Sequence, residues 1–160
     1  MDHQEAQTET TEGQRKAIAH MIDGLQNGAK MAEVFGYDEE TLMALESQAY
    51  RLYQNQRFDQ AKIAGRGVLA LDDERMLTQV IMGDMALEEY RFSDAVDHLQ
   101  KAHRLAPEEC GIRARLGEAL LKSGKKQLAS KHLEAVVAAG EEAGENNLRR
   151  SQLLLDALRS

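Results

Sequence analysis

Apolar residues recur along this chain at the spacing of amphipathic helices, and the helical segments themselves recur every 34 residues. Segments 42–75, 76–109 and 110–143 align without a gap, and two columns of the alignment hold only small residues. These residues are Ala49, Gly83 and Gly117 and, twelve positions later, Ala61, Ala95 and Ala129. Two antiparallel helices cross closely only where side chains are small, so the columns predict three helical hairpins.

Further columns mark the limits of each hairpin. The residues at the predicted turns are Gln56, Tyr90 and Gly124, and those at the repeat ends are Asp73, Pro107 and Glu141. The pattern resembles the tetratricopeptide repeat. The predicted fold class is all-α, a tetratricopeptide-repeat solenoid of three helical hairpins over residues 38–141, with an N-terminal helix and a C-terminal capping helix. An ordinary helical bundle is the alternative, although a bundle does not require a fixed period.

Three flanking segments complete the predicted organisation. Residues 1–13 are polar and acidic without apolar periodicity, so we expect a mobile tail. Residues 14–37 form an N-terminal helical segment, whose apolar stripe consists of Ile18, Met21, Ile22 and Leu25. Residues 145–160 form an amphipathic helix that we expect to cap the last hairpin, which would otherwise expose an apolar flank.

The residue types that form catalytic, metal or phosphate-binding sites do not occur in this sequence at the spacings that such sites require. The five histidines never occur at the i, i+3 or i, i+4 spacing that places two metal ligands on one helix face. Cys110 is the single cysteine, and the glycine pair at 65 and 67 lacks the strand and the Lys-Ser/Thr of a phosphate-binding loop. We therefore expect no enzyme activity, no catalytic residue, no metal site and no cofactor.

The overall charge narrows the class of partner. A formal net charge of -7 disfavours nucleic-acid binding, because phosphate neutralisation needs clustered Lys and Arg. No stretch approaches the roughly 18 apolar residues of a membrane span, so we expect no direct membrane binding. A basic or apolar protein ligand is the expected partner, and the lone cysteine fits a reducing cytoplasm.

In a stack of hairpins, the first helix of each repeat lines the concave side. Outside the core positions this face is largely apolar, and it consists of Met43, Glu46, Tyr50, Tyr53, Leu77, Val80, Asp84, Leu87, Ala114, Glu118 and Leu121. An apolar inner stripe indicates that a ligand covers it. Tyr50 and Tyr53 suit the anchoring of an extended peptide, because tyrosine combines apolar area with a hydroxyl. Alternatively, they pack beneath the N-terminal helix.

Two segments beside the repeats carry a more specific resemblance. The run NGAKMAEVFGYDEETLMALESQAYRLYQNQRFDQA leads into the first repeat, and LRRSQLLLDALR closes the chain. Together with the three repeats between them, these segments resemble the class II chaperones of bacterial type III secretion systems. Members of that family hold membrane-inserting translocator proteins before export.

The resemblance implies a homodimer in the bacterial cytoplasm, often formed through the N-terminal helix. It also implies that the concave groove grips an extended segment of one or more secreted translocator proteins and keeps them soluble and unassembled. By this likeness, Tyr50 and Tyr53 match aromatic groove positions, and Phe58 matches the aromatic residue that starts the second helix of the first repeat.

Two features depart from the family pattern. Glu46 occupies a groove position where family members often place an aromatic residue. Gly65 and Gly67 interrupt the second helix of the first repeat, and each costs about 1 kcal/mol relative to alanine in a helix interior.

The alternative functions are a tetratricopeptide scaffold or regulatory protein that joins folded proteins, or a chaperone for needle subunits.

Overall fold

The computed structural model describes the backbone of residues 2–159 and the side chains of residues 13–159. Within that range the chain forms only helices and their connections. In chain order these are α1 (Asp2–Gln26), α2 (Met31–Val34), α3 (Glu39–Gln54), α4 (Phe58–Leu71), α5 (Met76–Glu88), α6 (Phe92–Leu105), α7 (Cys110–Lys122), α8 (Lys126–Ala138), a 3-10 helix (Gly140–Ala143) and α9 (Glu145–Arg159). The predicted all-α fold class is confirmed.

The three predicted hairpins are α3–α4, α5–α6 and α7–α8, and they stack in chain order. The first begins where the sequence predicts, because the Asp38 carboxylate accepts a hydrogen bond from the backbone N–H of Thr41 at 2.8 Å. Ala61, Ala95 and Ala129 are completely buried where the two helices of each hairpin cross. Small residues in this column therefore allow the close helix contact that the period predicts.

A single residue in the left-handed conformation ends the first helix of each hairpin. Its φ angle is 58° at Gln56, 60° at Tyr90 and 81° at Gly124. The next N–H then bonds back to the helix, from Arg57 to Leu52 at 2.9 Å, from Arg91 to Ala86 at 2.8 Å and from Lys125 to Leu120 at 2.8 Å. This is the Schellman arrangement, which satisfies carbonyls that a helix end leaves free. The 34-residue period of the sequence is thus also a period of backbone hydrogen bonds.

The column of Ala49, Gly83 and Gly117 is filled from the facing helix. A Cβ atom at Gly117 would lie 2.7 Å from Cγ of Leu133, so the leucine occupies the space that the glycine leaves. In the first hairpin the arrangement is reversed, since Gly65 stands where the later repeats have leucine. A Cβ atom at Gly65 would lie 2.8 Å from Sδ of Met82, and α4 remains one continuous helix. Gly65 therefore allows α5 to approach α4 closely.

The N-terminal helix is longer than the sequence predicts. α1 runs from Asp2 to Gln26, so its backbone is helical through most of the segment 1–13 that we expect to be mobile. Met1 lies outside the described residues, and the mobility of the segment stays a prediction. α1 packs against α2, which packs against α4. Lys30 fastens this corner, because its Nζ lies 2.9 Å from the Asp72 carboxylate and 2.8 Å from that of Glu74.

The C-terminal helix covers the other end of the stack. α9 packs against α8 and also against α7. Its inner face carries Ser151 and Leu155, which are both buried. The predicted capping helix is therefore present over its described part, Glu145–Arg159, and Ser160 lies outside that part.

A membrane-spanning helix needs about 20 consecutive, predominantly apolar residues, and the described helices were the candidates for such a span. None of them is both long enough and apolar enough to cross a membrane.

Candidate peptide-binding groove

Four of the predicted groove residues line one open recess of about 520 Å³. They are Tyr53, Asp84, Leu87 and Glu118. The recess lies beside α3, α5 and α7, the first helices of the three repeats, and α9 closes its far side. Five further residues complete its lining, namely Glu88, Tyr90, Arg115, Lys122 and Arg150. The recess is therefore one surface, contributed by all three repeats and by the C-terminal helix.

The first-repeat end of the groove is aromatic and apolar. Four of the predicted residues there, Tyr50, Tyr53, Phe58 and Leu77, are partly buried against a cluster formed by Ala61, Ile81, Met82 and Met85. The ring centroids of Tyr53 and Phe58 are 6.0 Å apart and the rings are tilted by 57°. Such tilted pairs are a favourable aromatic geometry. The cluster that supports the tyrosines belongs to α4 and α5, not to the N-terminal helix.

Tyr53 connects this aromatic end to the recess. Burial raises the pKa of its hydroxyl, and the negative charges of Asp84 and Glu88 raise it further. The hydroxyl is therefore neutral at physiological pH and is available as a hydrogen-bond donor. A tyrosine that is half-buried, with its ring packed and its edge open to the recess, can contact an extended backbone.

Glu46 has a different role from the open groove position that the sequence predicts. Its carboxylate accepts hydrogen bonds from the backbone N–H of Thr78 at 3.0 Å and from the Thr78 hydroxyl at 2.9 Å. It also accepts one from Arg75 at 3.0 Å. Thr78 is in the first turn of α5, so Glu46 satisfies a free N–H at the start of the next repeat. Glu46 thus links the first two hairpins.

The remaining predicted groove residues differ in exposure. Ala114 is buried with Val136 and Ala143, so its side chain does not reach the groove surface. Met43 is 56% exposed on α3 but does not line the recess. Val80 and Leu121 are partly buried on α5 and α7, and Leu121 packs against the core between the second and third hairpins.

Two carboxylates line the recess at equivalent positions of repeats two and three, the partly buried Asp84 and the buried Glu118. Asp84 pairs with Arg115, whose Nε donates to the carboxylate at 3.1 Å. Burial raises the pKa of Asp84 although Arg115 and Arg150 lower it. Glu118, which is 34 residues later, pairs with Arg150 of α9 and lies 3.6 Å from the Nζ of Lys122. This half of the groove is therefore polar and highly charged.

The sequence prediction missed the three basic residues of the recess. Arg115 and Lys122 lie on α7, and Arg150 lies on α9, outside the repeats. The sequence did contain one signal for these basic residues. Asp84 and Glu118 share a column of the 34-residue alignment, and carboxylates that are removed from water require nearby cations. An acidic column on the inner face thus predicts basic neighbours, although not which residues supply them.

The predicted dimer residues form one exposed stripe on α1. Ile18, Ile22 and Leu25 are 51%, 47% and 38% exposed, and Met21 is partly buried. A second apolar surface, a shallow cleft between α3 and α4 that is lined by Leu45, Ala64 and Leu71, is also open. Large apolar side chains exposed side by side on one helix indicate a surface that another molecule covers.

The described side chains contain no group of three or more His, Cys, Asp or Glu that could hold a metal ion. Cys110 is partly buried and packs against the apolar cluster of Ala114, Val136 and Ala143. Its surroundings are those of a packing residue.

A family comparison matches residues 86–145 to the tetratricopeptide repeat. The chain has the tetratricopeptide-repeat fold. No curated protein matches the sequence. The match covers the last residues of α5, all of α6, α7, α8 and the 3-10 helix, and the first residue of α9.

Solved structures share the tetratricopeptide-repeat fold over most of the chain. A T3SS complex from Aeromonas hydrophila superposes with a TM-score of 0.73 at 20% identity, over 87% of this chain and 94% of that chain. The type III secretion translocator chaperone SycD of Yersinia enterocolitica gives 0.65 at 20% identity, over 81% and 98%. An alternative dimer of SycD gives 0.64 at 21% identity, over 76% and 94%. Each match covers more than nine-tenths of the solved chain.

Proposed function

We propose that this protein is a type III secretion chaperone of the bacterial cytoplasm. It binds an extended segment of a translocator protein in the concave groove and keeps that protein soluble and unassembled before export. The observation that carries the proposal is the groove, in which a supported aromatic end continues into an open recess. The shared fold with a Yersinia translocator chaperone and the resemblance of the flanking segments support the same function.

The chemistry of this function is binding, without any covalent step. A protein that inserts into bilayers exposes apolar segments, and such segments aggregate when they are free in water. The half-buried rings of Tyr50, Tyr53 and Phe58 offer apolar area on a packed apolar cluster. The Tyr53 hydroxyl and the charged recess offer hydrogen-bond partners to the backbone of the bound segment.

A homodimer formed through α1 is the second part of the proposal. Ile18, Met21, Ile22 and Leu25 lie on one face of α1, and three of them, Ile18, Ile22 and Leu25, are exposed. A second copy of the chain would bury this stripe and so remove it from water. The role of these four residues as the dimer interface rests on this exposure and on the resemblance.

Co-expression tests the proposal directly. The protein is produced in Escherichia coli together with each translocator, each needle subunit and one effector encoded beside its gene, and complexes are isolated through a tag on the chaperone. We expect a translocator to co-purify in soluble form and to become insoluble when it is expressed alone. Co-purification of a needle subunit alone supports the needle-chaperone alternative, and failure with every secreted protein contradicts the secretion function.

A further inference from the structure

The basic side chains of the recess lie outside the carboxylates with which they pair. The side chains of Asp84 and Glu118 are only 17% and 9% exposed. The exposed fractions of Arg115, Lys122 and Arg150 are 39%, 42% and 58%. The cations are therefore more open to a ligand in the recess than the two carboxylates with which they pair.

These cations retain hydrogen-bond donors that no described carboxylate uses. Arg115 donates through Nε to Asp84 and through Nη1 to the carbonyl of Gly111, which leaves other guanidinium N–H groups. The Nζ of Lys122 is 3.6 Å from Glu118, beyond the length of a good hydrogen bond, and 5.8 Å from the ring centroid of Phe92. Lys122 is thus held near the recess without a direct carboxylate partner at hydrogen-bond distance.

The net charge of the recess does not favour an acidic ligand, but the positions of the individual charged side chains do. The recess is lined by three basic and three acidic side chains, since the exposed Glu88 adds to Asp84 and Glu118. Glu88 stands at the end of α5, whereas the three cations come from α7 and α9. The helices that supply the cations are therefore different from the helix that carries Glu88.

We propose that the recess is an acidic-residue subsite, in which Arg115, Lys122 and Arg150 bind an Asp or Glu side chain of the segment whose apolar residues occupy the aromatic end of the groove. The subsite rests on the proposed peptide-binding function and adds a chemical class to it. The negative net charge of the chain predicts a basic or apolar ligand, but contact specificity depends on the local charges that the ligand touches. Charge-assisted hydrogen bonds in a partly enclosed site are stronger than those on an open surface.

Selection from a library tests the subsite without knowledge of the natural cargo. A phage library of random dodecapeptides is selected on the immobilised full chain at low ionic strength, and the Asp and Glu content of the enriched peptides is compared with that of the unselected library. We expect enrichment of apolar residues together with Asp or Glu at a fixed spacing from them. Apolar enrichment without acidic enrichment overturns the subsite alone, and the absence of any enriched peptide contradicts the groove function and the subsite together.

Paired substitutions remove the cations without leaving a buried charge alone. K122Q changes a loosely held cation, and E118Q/R150Q replaces an ion pair by two neutral amides. For a synthetic copy of the most enriched peptide, we expect a Glu→Gln change to weaken binding about three- to tenfold in wild-type protein and by a smaller factor in K122Q and in E118Q/R150Q, each of which keeps the other recess cations. R149Q is the matched control, because Arg149 is exposed on α9 outside the recess. Equal loss in E118Q/R150Q and wild type overturns the subsite.

Substitution of Glu88 tests the subsite independently. Its carboxylate opposes an acidic ligand, so E88Q should increase the preference for the Glu peptide over the Gln peptide by about twofold. Fluorescence anisotropy at two salt concentrations measures this preference, and the preference should shrink at the higher salt. A reduced preference in E88Q at low salt overturns the assignment.

Discussion

Gly83 faces Leu99 across the second hairpin so closely that a Cβ atom at position 83 would lie 2.6 Å from Cγ of Leu99. Packed carbon atoms normally stay about 3.5–4.0 Å apart, so the leucine would have to move. We therefore expect G83A to lower the free energy of unfolding by about 1–3 kcal/mol. Urea denaturation followed by circular dichroism measures the change.

Gly67 is the matched control for this prediction. It lies in the helix α4, and nothing stands within 4 Å of a Cβ atom added there. G67A should therefore stabilise the protein by about 0.5–1 kcal/mol, since alanine is the better helix former. Equal effects of G83A and G67A would show that the small-residue column is not set by packing.

The tyrosines of the groove give a prediction about cargo. We expect Y50A/Y53A to abolish co-purification of the translocator, because both rings belong to the partly buried aromatic end. The rings also pack on Ile81 and Met85, so the free energy of unfolding should fall by about 2–5 kcal/mol while the helical circular dichroism persists. Y37A is the control, since Tyr37 is exposed outside the groove. Undiminished cargo binding by Y50A/Y53A would remove these tyrosines from the site.

Charged substitutions on α1 test the proposed dimer. M21E/I22E places two carboxylates on the apolar stripe, and burying them between two copies would cost more than the interface gains. We expect light scattering to show a monomer. Cargo binding by the repeats of this monomer should be unchanged. L153E controls for the removal of exposed apolar area elsewhere, because Leu153 is 62% exposed on α9. A dimer that persists in M21E/I22E places the interface on another surface.

Glu46 gives a prediction about stability. E46A removes the acceptor of the Thr78 N–H and the partner of Arg75, so the free energy of unfolding should fall by about 1–3 kcal/mol. E39Q removes only the exposed pair between Glu39 and Arg75 and should cost about 0.5 kcal/mol or less. If the two variants unfold at the same denaturant concentration, the link between the first two hairpins contributes nothing.

His132, on the second helix of the third hairpin, should make the stability of the protein sensitive to acid. Burial lowers the pKa of His132 below 6.5, and His103, Arg113 and Lys131 lower it further by their charge. The folded state therefore favours neutral His132, and the resulting stability is present above pH 6.5 and lost as the pH falls towards the lowered value. Thermal unfolding from about pH 7.5 to about pH 5 should show a smaller loss in H132Q. H20Q, which changes an exposed histidine of α1, should behave like wild type.

Much of the fold could be predicted because the 34-residue period records contacts that every hairpin makes. The small-residue columns and the turn positions appear in the structure as close helix crossings and as left-handed residues at Gln56, Tyr90 and Gly124. Gly65 was interpreted as an interruption, although Met82 fills the space beside it and α4 is continuous. That partner lies on the next repeat, which the alignment of columns does not compare.

The groove was harder to predict, because its residues depend on the ends of the stack. Ala114 shares a column with Glu46 and Val80, but it is buried where the 3-10 helix and α8 meet α7. Arg150 belongs to no column, since α9 occurs once. A repeat pattern describes what neighbouring hairpins share, and the charged recess arises where the repetition stops.

The two ends of the stack also differ in how firmly they are held. In such a quasi-one-dimensional array each hairpin is stabilised mainly by its neighbours. The third hairpin has α9 as well as the second hairpin, whereas within residues 2–159 the first has the second hairpin and the four-residue α2. Amide hydrogen exchange should therefore be fastest in α3 and α4 among the repeats. The aromatic end of the groove would then open locally to admit a chain while the remainder stays closed.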